Sequence, residues 1–182
     1  NRCFTRLKDE YSGFILLLNN DTEVDPSILS SFIQAKDKYG DNHLYGGKIF
    51  YKNNPEKIWY AGGNVNLNWA KVSHRGIRQN DSPEFSDPLQ TDYITGCCIF
   101  TSMDVINQMN GFDERFNMYG EDVDLCLRAK EKEINCYYWP DAKLYHHISA
   151  SLGGAFSLKK LSKKLIGMGR LYKKHVMELT KK

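Results

Sequence analysis

The sequence has no apolar run close to the roughly 20 residues that a membrane-spanning helix requires. The longest such run is FILLL at residues 14–18, which is the length of a strand. The first residues, NRCFTRLKDE, are charged and lack an apolar core, so we expect no secretory signal within this sequence. Internal repeats and low-complexity tracts are also missing, which excludes a repeat array.

Cysteine is scarce and irregularly spaced. The number of cysteines is odd, and the adjacent pair at positions 97 and 98 is neither a metal knuckle nor an obvious disulfide framework. We therefore expect buried thiols in a reducing, cytoplasmic compartment. The five cysteines are Cys3, Cys97, Cys98, Cys126 and Cys136.

The composition is that of one globular domain. A chain of 182 residues, 41% hydrophobic and 13% aromatic, is long enough to bury a core and too apolar to be disordered. The net charge is only +3, but nine Lys or Arg side chains and a single acid, Glu178, follow residue 157. We therefore separate a basic amphipathic helix, residues 156–182, from the rest, residues 1–155. Its partner is expected to be an anionic membrane surface and not nucleic acid, the alternative being a solvated helix packed on the domain.

Hydrophobic periodicity predicts an α/β protein. The run at residues 14–18 is bounded by Gly13 and Asn19-Asn20, which indicates a strand covered on both faces. Further strands are predicted at residues 43–51, 97–101, 134–139 and 142–147, with a break at Pro140-Asp141 and a hairpin between residues 58–60 and 65–67. Residues 68–91 are predicted to be a long irregular loop. Helices are predicted from residue 25 to about 40, from 102 to 110, from 121 to about 132, and from 158 to 176.

Two acidic stretches and one histidine pair are candidate site residues. Glu121-Asp122 lies where a loop becomes a helix, a place that a simple helix cap would also explain. Asp21 follows the carboxyl end of a buried strand, where ligands bind in α/β sheets, although an Asx turn is the alternative. His146 closes the last strand, and a histidine in this position by itself is more often a hydrogen-bonded or partly buried side chain than a ligand. Carboxylates with one imidazole suit Mn²⁺ or Mg²⁺.

Four motifs in order carry a resemblance to a known family. LLLNNDTEVDP, ITGCCIFTS, NGFDERFNMYGEDVDLCLR and YYWPDAKLYHHISAS resemble family 2 glycosyltransferases of the GT-A fold, most of all the rhamnosyltransferase-like members that build bacterial surface polysaccharides. The resemblance covers about residues 10–155 and implies a GT-A-like mixed sheet flanked by helices. Such enzymes open with a nucleotide-binding strand and loop, and nothing before Gly13 matches. We therefore expect this chain to lack most of the N-terminal nucleotide-binding part and to be inactive alone.

The resemblance also implies roles for individual acids. Asp122 takes the place of the general base, and Glu121 would orient sugar or acceptor hydroxyls. Asp92 and Gly96 fall where the family's loop approaches donor sugar and acceptor. The remaining acids of the third motif are expected to be structural or solvated; they are Asp113, Glu114 and Asp124.

A metal site is implied by the first and last motifs. Asn19, Asn20 and Asp21 take the place of the family's DxD-type motif, with Asp21 as ligand of a Mn²⁺ or Mg²⁺ ion on the donor diphosphate. His146 corresponds to the histidine that completes this site, and Glu23 is a minor candidate. His147 points the other way along the strand, so it is not expected to be a ligand.

The implied activity is inverting transfer of a sugar from a nucleotide-sugar donor to a polysaccharide or lipid-linked glycan acceptor, at the inner face of the membrane. A base at a helix start experiences the positive end of the helix dipole, which lowers its pKa, so burial or the charge of Glu121 must oppose this effect. The alternative function is a non-catalytic carbohydrate-binding or scaffolding module derived from a transferase domain.

Overall fold

The structure is a computed structural model that describes residues 1–7, 10–116, 118–147 and 158–177, without the side chains of residues 158–161. The predicted boundary near residue 155 and the last five residues, 178–182, which include Lys181 and Lys182, lie outside the described part. The helices are α1 Arg2–Leu7, α2 Ile28–Tyr39, α3 Met103–Met109, α4 Glu121–Lys130 and α5 Leu158–Tyr172, the last followed by a π-helical turn, Lys173–Met177. No helix in these ranges is long and apolar enough to cross a bilayer.

The strands form one large sheet and one small ribbon. They are β1 Phe14–Leu18, β2 Thr22–Val24, β3 Leu44–Tyr51, β4 Asn54–Tyr60, β5 Gly63–Asn66, β6 Lys71–His74, β7 Leu89–Thr91, β8 Cys98–Ser102 and β9 Cys136–His146. The large sheet has the order β1-β8-β3-β9-β2, with β4 on β3 and β7 on β9, while β5 and β6 pair with each other. Because β3 and β9 are parallel and the other pairs antiparallel, the predicted mixed sheet is confirmed.

Helices cover the sheet and close the core. α2 packs on β3 and β9, and α3 packs against β8 and α4. The ring of Phe32 on α2 stacks on Phe100 of β8 with centroids 5.1 Å apart, and Phe14 of β1 stacks on the same ring at 5.1 Å. β1 itself lies at one end of the described sheet and is only partly buried, with Leu18 41% exposed. The prediction that both of its faces are covered was therefore wrong.

The predicted break at Pro140-Asp141 was also wrong, because β9 runs through it. The ladder with β3 passes from Gly47 opposite Trp139 to Lys48 opposite Lys143, so Pro140 lies in a bulge. On the other side of β9, β7 pairs with residues 136–138 and β2 with residues 144–146. The proline therefore occupies a gap between ladders, where its missing N–H removes no hydrogen bond.

The predicted hairpin and the predicted loop were wrong in their pairing. β4 pairs with β3 rather than β5, and β5 pairs with β6, which lies inside the supposed loop 68–91. That loop also contains β7. Alternation over such short segments identifies strands but does not select partners, so the pairing followed tertiary contacts.

Candidate active site

The turn after β1 is fixed between two other strands. Its first residue, Asn19, donates its N–H to the carbonyl of Cys97 at 3.1 Å, immediately before β8. β2 then pairs antiparallel with β9, so that Thr22 lies opposite His146, and the N–H of His147 reaches the carbonyl of Asp21 at 2.9 Å. The end of β1 and the end of β9 therefore meet at Asp21.

Asp21 and His146 face each other at this meeting point. Asp21 Oδ1 lies 3.2 Å from His146 Nε2, which is an ion-pair distance without the angle of a hydrogen bond. Asp21 Oδ1 and His146 Nδ1 are both buried and have no hydrogen-bond partner among the described residues. Burial lowers the pKa of His146 despite the opposing charge of Asp21, so the ring is neutral at pH 7. Each of these two adjacent side chains thus has one buried electron-pair donor that no described residue uses.

The neighbouring histidine belongs to a different surface. His147 Nε2 lies 3.0 Å from Glu23 Oε1, and Lys52 also binds Glu23. Glu23 is exposed and binds Lys52 and His147, so it belongs to a different group of side chains from Asp21. The alternation of side chains along a strand explains why His146 and His147 part here.

This donor set suits an ion shared with a ligand and not one held by protein alone. Among the described residues, no group of three or more His, Cys, Asp or Glu side chains is placed to bind a metal. One carboxylate and one imidazole leave coordination positions for phosphate oxygens and water, as Mg²⁺ and Mn²⁺ sites commonly do. Asn19 and Asn20 are exposed at the same turn.

Asp122 is placed at the start of α4 but does more than cap it. Its Oδ1 accepts the N–H of Val123 at 2.9 Å, and its Oδ2 accepts the N–H of Gly96 at 2.8 Å. Burial raises the pKa of Asp122, although the donors Gly96 and Val123 lower it. Of the two effects expected to oppose the helix dipole, burial therefore acts on this carboxylate.

Glu121 is a half-buried acid with one buried, unused oxygen. Its Oε2 has no hydrogen-bond partner among the described residues. Burial and then the charge of Asp122 raise its pKa. A buried polar atom without a partner is rare in a folded protein, so this oxygen is suited to receive a hydroxyl from a ligand.

One dipeptide joins the two acidic regions. Gly96 donates its N–H to Asp122, and the next residue, Cys97, accepts the N–H of Asn19 through its carbonyl. Burial, then the charges of Cys98, Asp21 and Asp122, raise the pKa of the Cys97 thiol, so both carboxylates lie near the same side chain. Cys97 is buried, as predicted, whereas Cys3 is exposed.

Comparison with known proteins assigns this arrangement to a family. A sequence model of glycosyl transferase family group 2 matches residues 14–172. The chain belongs to this family. It is 29% identical over 152 residues to the O-antigen biosynthesis protein RfbC of Myxococcus xanthus, covering 79% of this chain and 12% of that protein. It is 38% identical over 61 residues to N-acetylglucosaminyl-diphospho-decaprenol L-rhamnosyltransferase of Mycobacterium tuberculosis (strain ATCC 25618 / H37Rv), covering 34% of this chain and 20% of the relative.

The structural comparison shows the fold. The crystal structure of GalNAc-T7 with UDP, GalNAc and Mn²⁺ matches with a TM-score of 0.63 and 12% identity, over 92% of this chain and 33% of that one. The predicted GT-A fold is thereby confirmed. The chain spans only 12% and 16% of the lengths of the first two curated relatives.

Asp92 lies in a different setting from the other predicted residues of this glycosyltransferase-family chain. Its Oδ2 accepts the N–H of Val65 at 3.0 Å, and its Oδ1 lies 3.8 Å from Lys130 Nζ. The carboxylate thus holds the β5–β6 ribbon against the segment that leads to Gly96. It also borders a cavity of about 230 Å³ that Cys126 and Cys136 help to line.

Asp124, which was expected to be structural or solvated, is structural in this family member, but the sequence interpretation did not predict its partners. Asp124 is completely buried and binds three side chains, Arg128 through Nε at 2.8 Å, Lys174 through Nζ at 2.6 Å and His175 through Nε2 at 2.8 Å. Asp124 and Arg128 have the spacing of a helical ion pair, which the sequence could have indicated. The partners 50 residues further along carry no comparable signal.

Proposed function

We propose that this chain carries the base and the metal-binding residues of an inverting glycosyltransferase, which moves a sugar from a nucleotide-sugar donor to a glycan or lipid-linked acceptor. The observation that carries the proposal is the dipeptide Gly96-Cys97, which binds Asp122 through one residue and the Asp21 turn through the next. A base for the acceptor and a binding group for the leaving diphosphate are the two parts that this reaction requires.

Asp122 acts as the base in this proposal. Its carboxylate takes the proton of an acceptor hydroxyl while that oxygen attacks the anomeric carbon from the side opposite the leaving group, so one displacement inverts the configuration. The raised pKa of Asp122 makes the carboxylate a stronger base than an ordinary aspartate. The unused oxygen of Glu121 accepts a hydrogen bond from a sugar hydroxyl and fixes its orientation.

Asp21 and His146 would hold a Mn²⁺ or Mg²⁺ ion on the donor diphosphate. When bound, such an ion neutralises the charge that develops on the leaving nucleoside diphosphate. Asn19 and Asn20, exposed at the same turn, are proposed to contact the donor. Gly96 and Asp92, whose side chain is 41% exposed, are proposed to border the space for donor sugar and acceptor.

An anionic membrane surface is the proposed location. α5 exposes Leu165 and Ile166, 64% and 54% accessible, beside the exposed Lys163 and Lys164. Exposed apolar side chains next to lysines suit the boundary between lipid headgroups and acyl chains.

A vesicle flotation assay tests this location. The protein should float with vesicles of phosphatidylglycerol and should not float with vesicles of phosphatidylcholine alone. Equal behaviour with both lipids would contradict the electrostatic part of this proposal.

The test of the function is a transfer assay with the complete protein. The name of the Mycobacterium tuberculosis relative supplies the first substrate pair to try, a nucleotide-activated L-rhamnose and an N-acetylglucosaminyl-diphospho-prenol acceptor. We expect transfer with inversion at the anomeric carbon, and no transfer by the 182-residue chain alone. A complete protein that binds glycans but turns over no nucleotide-sugar would favour the carbohydrate-binding alternative.

A further inference from the structure

We propose that the C-terminal segment, residues 162–177, positions the base by docking on the turn that precedes it. This inference rests on the proposed role of Asp122. The segment then has a function in holding the catalytic site together, in addition to any contact with a membrane. Asp124 and Lys174 are positioning residues in this proposal, because neither contacts the reacting groups.

The first contact is between Gly167 and the backbone of the turn. Gly167 is buried, and a Cβ atom added to it would lie 2.2 Å from the carbonyl oxygen of Tyr119. Leu171, one helical turn later, is fully buried, and its Cδ1 lies 3.3 Å from where a Cβ of Gly120 would be. α5 therefore fits against the two residues before Glu121 without space for another methyl group.

Of those two residues, Tyr119 has an unfavourable backbone conformation, whereas glycine adopts the conformation of Gly120 without strain. Tyr119 has φ of 69° and Gly120 has φ of 101°, both in the left-handed region. A residue with a Cβ atom rarely adopts this region unless its surroundings hold it there. α5 supplies such surroundings at both residues, so the conformation of this turn depends on the docking of α5.

The second contact lies on the other side of Asp122 in the sequence. Lys174 and His175 both bind the buried carboxylate of Asp124, and Lys174 also binds Asp113 at 2.7 Å. The first turn of α4 is thus held by Gly96 through Asp122 and by the C-terminal segment through Asp124. Loss of the second attachment would let α4 move relative to Gly96, which would displace the base.

Two glycines of the same helix give a matched pair of variants. Gly167→Ala places a methyl group against the carbonyl of Tyr119, whereas Gly169→Ala meets no atom within 4 Å. Both changes favour the helix itself, since alanine is the better helix former. In the complete protein labelled with ¹⁵N-glycine, we expect Gly167→Ala to shift the amide resonance of Gly96 and to lower kcat on the order of 10- to 100-fold with little change in the donor KM. Gly169→Ala should leave both unchanged.

A second pair covers the case in which Gly167→Ala does not fold. Lys174→Met removes the charge that binds Asp124, and Lys174→Arg keeps it, so the methionine variant should shift the Gly96 resonance and the arginine variant should retain the native value. Wild-type Gly96 resonances in both Gly167→Ala and Lys174→Met would overturn the proposal. If Asp122→Asn turned over normally while Gly167→Ala still shifted Gly96, the base role would fail and the positioning would stand.

Discussion

The backbone N–H of Gly96 donates a 2.8 Å hydrogen bond to Oδ2 of Asp122, which joins the segment before β8 to the start of α4 across 26 positions of sequence. The bond fixes the direction of the carboxylate and lowers its pKa, but burial outweighs this effect and raises the pKa above its ordinary value. Several consequences of this arrangement can be measured.

Replacing the proposed base should remove turnover without unfolding the protein. Asp122→Asn keeps a side-chain oxygen for the N–H of Gly96 but cannot take a proton, so we expect kcat to fall by about 10²- to 10⁴-fold. Asp104→Asn is the control, because Asp104 is an exposed acid in the first turn of α3. Circular dichroism should be native in both variants, and near-normal turnover by Asp122→Asn would remove it from the base role.

In acid, the rate of transfer should begin to fall at a higher pH than it would with an ordinary aspartate as the base. Burial raises the pKa of Asp122 above its ordinary value of 3.8, and burial with the charge of Asp122 raises that of Glu121. A base must be ionised, so kcat should fall as the pH drops through the raised pKa of Asp122. A profile of kcat against pH checks this. A rate that stayed constant down to pH 3.8 would contradict it.

Metal-dependent donor binding should require Asp21 and His146. Titration calorimetry with Mn²⁺ and either UDP or dTDP should show binding by the complete protein, weakened in Asp21→Ala and His146→Ala. The loss should be at least the roughly 10- to 100-fold that follows removal of an outer-shell partner. His147→Ala is the matched control, because this neighbouring histidine binds Glu23 instead. Equal weakening by all three changes would argue against the assignment.

Asp124 should matter greatly for stability. Burial alone would raise its pKa, but hydrogen bonds from His175, Lys174 and Arg128 outweigh burial and lower it. Asp124→Asn leaves the charges of Lys174 and Arg128 without their buried carboxylate, so we expect the free energy of unfolding near pH 7 to fall by about 3–5 kcal/mol. Urea denaturation measures the loss.

The same carboxylate predicts the direction of an acid effect. A lowered folded pKa contributes stability that is present above the ordinary value of 3.8 and is lost as the pH falls through the folded value. The difference between wild type and Asp124→Asn should therefore shrink in acid. Asp113→Asn should cost less than Asp124→Asn, since Asp113 lies outside α4 although it shares Lys174. A constant difference from neutral pH to strong acid would contradict this account.

Local signals predicted those elements that local interactions determine. Ser102 caps α3 by accepting the N–H of Val105, and Asn110 ends that helix with φ of 54°, as the sequence indicated. Pro140 and the short strands were misread because their outcome depends on partners far away in sequence. The proline is tolerated only because the β3 ladder skips it, and β5 pairs with β6 although β4 precedes it directly.

The candidate site shows the same division. The motifs identified Asp21, Asp122 and His146, and the structure places Asp21 against His146 and both acids near Cys97. The spacing of residues in the sequence could not predict the hydrogen bond from Gly96 to Asp122, because a backbone N–H can donate to any acceptor that tertiary packing brings to it. The burial of Asp124 was missed for a similar reason, since its polar type suggests an exposed side chain and only the distant Lys174 and His175 make burial tolerable.

The dipeptide Gly96-Cys97 has a consequence for how specificity could diverge in this family. In the proposed reaction, the distance from the leaving group to the acceptor oxygen depends on where the two hydrogen bonds of this dipeptide hold Asp122 and the Asp21 turn. The β5–β6 ribbon is attached beside it, through Asp92 and Val65, and does not carry either acid. Changes in the ribbon could therefore select a different sugar or acceptor while the geometry of bond making and bond breaking stays constant.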